Sequence, residues 1–397
     1  MAIGTSQGFR SKGILMKTKI RHLYYLLLSF LNVLIPKKNR IMIYGGSFLD
    51  DNSEAMFRYL NEQTDYDVVC ICNKNLRYQL RKNARVIKDT YWNAFVALAT
   101  SKVAIDSSFH TVKIKPTKKQ LFIQCWHGSP LKSMVDPAGN GKYYSKCFYA
   151  SDYFKEYMSS YFHADDSRMV CLGAPRNDYL FDQDAFDYSC ADYAQFKYKV
   201  IWMPTFRQGL GRTESSIDIP ILNSDNIKAL DDKLKSLNIA LIIKPHRVQA
   251  GSFEHLFEKI KPTNISIVTE DYFIRNNIPV YTFVSYMDAL ITDYSSIYFD
   301  YLLLDRPIGF AIDDFDQYLS NRGFAYEDPL EMMPGMKMYT FNDLVAFFDN
   351  LAEGKDNFSK ERKNKAALFN KFTDKNCRRL TRVIDQFIGT QESGEEA

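Results

Sequence analysis

The sequence predicts two α/β domains, each a mainly parallel sheet wound by helices, with a cleft between them. Three observations carry this. A chain of 397 residues is long for one domain and sufficient for two. Short apolar runs alternate with helical patterns along most of it, the rhythm of right-handed βαβ units. That rhythm breaks once, in the polar and aromatic stretch DQDAFDYSCADYAQFKYK, residues 182–199, and then restarts.

The chain opens on a basic, greasy segment, residues 1–39. Between Arg10 and Arg40 there are eight Lys or Arg residues, and the first acid is Asp50. From Leu23 to Ile35 apolar character is nearly continuous, but thirteen residues fall short of the ~20 that span a bilayer. No small-residue cleavage site follows, as a signal peptide would require. The segment reads as an amphipathic helix lying in a membrane interface, with Lys17, Lys19, Arg21, Lys37, Lys38 and Arg40 meeting anionic headgroups. A helix packed on the body of the fold, its charges solvated, is the alternative.

The first domain, residues 40–190, contains the strand patterns RIMIYGG, DVVCIC, ARVIK, KVAIDSS, LFIQCWHG and RMVCLG, separated by the helical patterns SEAMFRYLNE, NAFVALAT and YFKEYMSSYF. The second, residues 191–375, runs VIWMPT, NIKALDDKLKSL, IALIIKPH, SFEHLFEKI, ISIVTE, MDALITDYSS, IYFDYLLL and PIGFAI. A helical tail spans about Lys360 to Ile388, and residues 376–397 form a C-terminal helix and tail.

Composition excludes several classes. A net charge of +4 with 25% charged residues does not call for a nucleic-acid partner. Seven cysteines, mostly inside apolar runs, read as free thiols, and none has zinc-ligand spacing. YGGSF lacks the spacing of a dinucleotide loop, and there is no GKS or GKT phosphate loop.

Five loops follow expected strands: WHGSP, GAPRND, PTFRQG, KPHR and TDYSS. Taken singly each has a structural reading: His127 as a satisfied, partly buried histidine, Arg176 paired with Asp178 or another local carboxylate, Thr205 and Ser295 as helix caps, His246 orienting a turn. Together they place polar side chains at the strand ends where open α/β sheets bind ligands. The chemistry suggested is anion handling. Ser295 and Ser296 fall at the start of the next helix, with Asp293 or Ser295 as its cap, and Arg176, Arg207, Lys244 and His246 supply positive charge. No metal is expected; Asp314 and Asp316, in Asp-x-Asp spacing, read as a turn.

From GGSFLDDNSEAMFRYL through WHGSPLK, GAPRNDYLF, PTFR, KPH, TDYSSIYFDYLLLDRPIGF and RGF, the chain resembles the CDP-glycerol glycerophosphotransferases and related polyol-phosphate transferases that build teichoic acids and teichoic-like capsules. The resemblance implies a GT-B-like arrangement of two Rossmann-like domains, an N-terminal acceptor domain and a C-terminal CDP-donor domain, attached peripherally at the cytoplasmic face of a bacterial membrane. It implies His127 as the base for the acceptor hydroxyl and His246 at the donor pyrophosphate. Thr205, Arg207, Ser295 and Ser296 would hold phosphates, and Gly128, Arg176, Asn177, Lys244, Thr292, Asp293 and Asp300, in the same motifs, would complete the substrate site. The expected reaction moves glycerol phosphate from CDP-glycerol to a lipid-linked or polymeric acceptor and releases CMP, with no cofactor. The alternatives are a CDP-ribitol donor, a nucleotide-sugar glycosyltransferase of the same architecture, and a non-catalytic subunit of an envelope-assembly complex.

Overall fold

A computed structural model describes residues 23–46, 49–74, 76, 78–109, 112–136, 139–182, 192–205, 221–245 and 261–395. Helix α1, residues 23–34, leads into β1 (Lys38–Gly46). The first domain then runs α2 (Asp51–Gln63), β2 (Asp67–Cys72), β3 (Ala84–Ile87), α3 (Tyr91–Thr100), β4 (Ser101–Asp106), β5 (Leu121–Gln124), β6 (Lys146–Tyr149), α4 (Lys155–Phe162) and β7 (Met169–Cys171). Its strands lie in the order β3-β2-β1-β4-β5-β6-β7, every pair parallel.

The second domain contains β8 (Tyr198–Met203), α5 (Ile227–Leu237), β9 (Ile239–Ile243), β10 (Ile265–Ile267), α6 (Glu270–Asn276), α7 (Val280–Ser285), β11 (Ala289–Thr292), α8 (Ile297–Tyr301), β12 (Ile308–Ala311), α9 (Phe315–Asn321), β13 (Met336–Met338) and α10 (Phe341–Ala352). Its order, β10-β9-β8-β11-β12-β13, is again parallel throughout. In both sheets the strand order reverses once, between β1 and β4 and between β8 and β11. Those two reversals open the crevices where such sheets take ligands.

Both faces of the second sheet are covered, as a parallel sheet requires. Val200, Trp202, Leu241, Ile243 and Ile291 pack into a core under α5 and α10. The alternate residues Ile201, Ile242 and Leu290 join a core continuous with the first domain. The two domains are therefore packed together along one edge of the cleft. Phe154 stacks edge-on to Phe299, and Ala325 N donates to Leu131 O at 2.8 Å across the domain line. The tail is two helices, α11 (Ser359–Phe369) and α12 (Asn376–Glu395). The second returns to the first domain, where Asp178 accepts from Asn376 N and Cys377 N at its start.

Several expectations change. LFIQ ends as a strand at Gln124, because Trp126 adopts a positive φ of 56° that breaks the ladder. KCFY and MKM are strands that their own sequence does not announce; three or four residues gain their pairing from neighbours. Asp314 lies in a turn closed by Phe315 N donating to Ile312 O at 3.3 Å and accepts from Tyr294 Oη at 3.0 Å, whereas Asp316 lies in α9. SFEHLFEKI lies outside the described residues.

Helix α1 packs one face on the body of the fold. Leu28 and Asn32 are buried, and Asn32 Nδ2 donates to Lys115 O and Gln120 Oε1 at 3.0 and 2.8 Å. The opposite face leaves Leu26, Leu27, Phe30 and Val33 exposed, and Tyr24 meets Tyr91 of α3, beside exposed Trp92 and Val96. Lys37 does not face outward: its ammonium donates to Asn32 Oδ1 and Ala99 O at 2.8 and 2.7 Å, and burial lowers its pKa to about 8. Arg40 likewise turns inward onto Asp67 at 2.7 Å. Lys17, Lys19 and Arg21 lie outside the described residues. Among the described residues no helix is long and apolar enough to cross a membrane.

Candidate active site

The loops after β1, β4 and β5 meet at the reversal in the first sheet. Asp50 caps α2, accepting from Asn52 N and Ser53 N, and also receives the Ser53 and Ser107 hydroxyls at 3.0 and 2.5 Å. His127 lies above this cluster. Its Nδ1 is 3.0 Å from the carbonyl oxygen of Ser107. A carbonyl only accepts, so Nδ1 carries the proton and Nε2 presents its lone pair. The ring sits 4.0 Å from the Trp126 ring, and part of the residue is exposed to solvent. Burial pushes its pKa below the ordinary histidine value; the Ser107 carbonyl and Asp50 oppose this, and Arg176 and Lys132 reinforce it. A neutral imidazole at neutral pH follows.

Gly128 is required by a close approach. A Cβ there would lie 2.8 Å from Ser296 Cβ, and closer still to its hydroxyl. The histidine loop thus touches the second domain directly. Ser295 and Ser296 are half-buried, and their hydroxyls have no hydrogen-bond partner among the described residues. Neither Ser295 nor Asp293 caps α8, which begins after Ser296 without a side-chain cap. Asp293 instead accepts from Thr205 N at 2.9 and 3.0 Å and from the Thr205 hydroxyl, clamping the ends of β8 and β11. Thr292, fully buried, donates to Met203 O at 2.7 Å. Thr205, Asp293 and Thr292 are therefore engaged with one another's strands, while the two serines are open.

Arg176 and Asp300 also find each other. The guanidinium lies in the short 3-10 turn Pro175–Leu180 and reaches Asp300 Oδ2 with Nη2 at 2.7 Å and Nε at 3.1 Å, both side chains buried. Burial alone would lower the Arg176 pKa, but Asp300, Tyr281 and Asp51 together outweigh it and raise it. Asp178, the local carboxylate, is committed to α12. Asn177 is buried with its Oδ1 unpartnered. The Lys244 ammonium lies 5.6 Å above the Phe273 ring at the exit of β9. Arg207 and His246 lie outside the described residues. Among the described residues no group of three or more His, Cys, Asp or Glu side chains is placed to hold a metal.

Asp50, Asn52, Ser53, Ser107 and Tyr281 join the site without having been expected. The first four sit in DDNS and DSS, directly after β1 and β4. Two polar strand exits were the available signal, but only the strand order makes them neighbours.

Two parallel sheets of one winding, with their reversal-point loops facing each other across a cleft, define a GT-B-like protein. The chain belongs to the CDP-glycerol:poly(glycerophosphate) glycerophosphotransferase family, which it matches over residues 27–386. It is 25% identical to a teichoic acid poly(ribitol-phosphate) polymerase of Bacillus spizizenii over 95% of this chain, and spans 60% of that relative's length. It is 25% identical to a teichoic acid glycerol-phosphate transferase of Staphylococcus aureus over 81% of this chain and 85% of the relative. The structure of the wall teichoic acid polymerase TagF superposes with a TM-score of 0.73 at 19% identity, covering 96% of this chain and 98% of the other, which establishes the shared fold.

Proposed function

We propose that this chain transfers a polyol phosphate, glycerol phosphate in the first instance, from a CDP-activated donor to a hydroxyl of a lipid-linked or polymeric acceptor in the synthesis of a teichoic-acid-type polymer. The observation that supports this reading is that His127, whose Nδ1 faces the Ser107 carbonyl, directly precedes Gly128, which packs against Ser296 of the second domain. The acceptor oxygen attacks the β-phosphorus and forms the new P–O bond. The bond from that phosphorus to the bridging oxygen breaks, CMP leaves, and Nε2 takes the hydroxyl proton. Ser295, Ser296 and Lys244 bind the donor phosphates, while Thr205 and Asp293 hold the two strand ends in place.

A CDP-ribitol donor is the second reading, favoured by the likeness to a ribitol-phosphate polymerase. The outer face of α1, with Trp92 and Val96, rests on the cytoplasmic surface of an anionic membrane that carries the acceptor.

The test is to incubate the purified protein with labelled CDP-glycerol or CDP-ribitol over lipid-linked and oligomeric acceptors. CMP release matched by phosphodiester product supports the reading. Release of a nucleoside diphosphate from a nucleotide sugar identifies a glycosyltransferase, and binding without turnover across all donors identifies a non-catalytic subunit. Activity should persist in chelator; a strict Mg²⁺ requirement would remove the metal-free form of the proposal.

A further inference from the structure

Arg176 stands between the two halves of the site. Its Nη1 donates to the His127 carbonyl at 2.7 Å, while Nη2 and Nε grip Asp300 of the second domain. Tyr281 Oη donates to the same Asp300 oxygen at 2.7 Å and fixes the carboxylate in turn. On the other side of the loop, Asn52 Nδ2 donates to Trp126 O at 2.7 Å, and Asn52 Oδ1 accepts from Arg176 N at 3.1 Å. The peptides before and after His127 are thus both anchored through Arg176 and Asn52. Such anchoring is needed, because Trp126 holds a φ of 56°, which a bulky residue does not keep without external constraint.

We propose that Arg176 is a positioning residue that fixes the placement of His127 across the domain line, by tying the His127 carbonyl to the Asp300 carboxylate. This rests on His127 being the base assigned above. A guanidinium is planar, so its contact with Asp300 and its contact with the His127 carbonyl are set at one fixed angle. Without the Asp300 carboxylate, Arg176 loses its buried counter-charge and its fixed angle, and the loop around Trp126 relaxes. The sequence-based expectation was different: Arg176 as a direct phosphate ligand. The two roles separate in kinetics, since a phosphate ligand governs donor affinity and a positioning residue governs turnover.

The experiment compares Arg176→Lys, Asp300→Asn, Tyr281→Phe, the Arg176→Lys/Asp300→Asn double variant and His127→Ala in the full chain. Donor affinity is measured by calorimetry with CDP-glycerol and CDP-ribitol, turnover by CMP release, and folding by thermal melts. Lysine keeps the charge beside Asp300 but cannot reach the His127 carbonyl as well. Arg176→Lys and Asp300→Asn should each lower kcat by on the order of 10²-fold with Kd for the donor within about twofold of wild type. The double variant should be no worse than the poorer single one. Tyr281→Phe, which leaves the ion pair intact, should lower kcat by about tenfold and carries the test if the charge variants do not fold. Substrate-free modification of His127 by diethyl pyrocarbonate, mapped by peptide, should run several-fold faster in these variants than in wild type. Weakened donor binding at constant kcat, a multiplicative double variant, wild-type turnover in folded Arg176→Lys, or an unchanged modification rate each overturns the coupling. Wild-type turnover in His127→Ala overturns the base assignment instead, and the modification rate still reports on the coupling.

Discussion

The His127 imidazole faces Ser107 of the first domain, its Nδ1 lying 3.0 Å from the Ser107 carbonyl, and the Ser107 hydroxyl lies 2.5 Å from Asp50. The carbonyl sets the tautomer, and the nearby carboxylate opposes the loss of basicity that burial causes. As the proposed base, His127 works in its neutral form, and because its pKa is lowered the acid limb of kcat/KM should fall below pH ~6.5, the ordinary histidine value. Asp50→Asn keeps a good helix cap and removes the opposing charge, so that limb should move further down. A limb that moves upward would contradict the arrangement. His127→Ala should cost ~10²–10⁴-fold in kcat with donor affinity little changed.

Gly128 faces Ser296 with no room for a side chain. Gly128→Ala should destabilise the closed protein by about 1–3 kcal/mol through overpacking. Adding Ser296→Gly should restore most of that loss. Thermal unfolding of the single and double variants checks this, and a stable Gly128→Ala would show that the contact is soft.

Asp51, in the first turn of α2, has its pKa raised to about 6, chiefly by burial and despite Arg176 and Lys244 nearby. The folded state therefore prefers the neutral acid, and the penalty develops as pH rises from the unfolded value near 4 through about 6. Asp51→Asn should stabilise the protein at pH 7 by about 1–2 kcal/mol, below the ~3 kcal/mol that the full shift allows because a charge at a helix N-terminus is itself favourable. The gain should shrink toward zero by pH 4. Urea titrations of both proteins at the two pH values measure it, and a gain independent of pH would refute the cause.

The membrane reading is best tested on the outer face of α1. Leu28, Asn32 and Lys37 are built into the body, so deleting the segment would also remove packing. Leu27→Glu with Phe30→Glu should abolish binding to anionic liposomes in sedimentation assays while leaving the circular dichroism spectrum unchanged. Undiminished binding would assign the exposed face another role.

The sequence by itself determined the winding. Alternating runs such as DVVCIC, IALII and NIKALDDKLKSL fix strand and helix through apolar period, a local property, and the break near 182–199 follows β7 of one sheet and leads into β8 of the other. It also pointed to His127, Gly128, Ser295 and Ser296, because Gly, Ser and His at the end of an apolar run suit neither strand nor core. It could not decide which of the charged candidates were free. Arg176 and Asp300 are 124 residues apart in the chain and cancel one another only because α8 is brought against the turn Pro175–Leu180. Asp293 is drawn to Thr205 by the adjacency of β8 and β11, and Ser107 reaches Asp50 because β4 lies beside β1. Pairing energies depend on distance in space and on the water that burial removes. Both quantities exist only once the two sheets have formed and met.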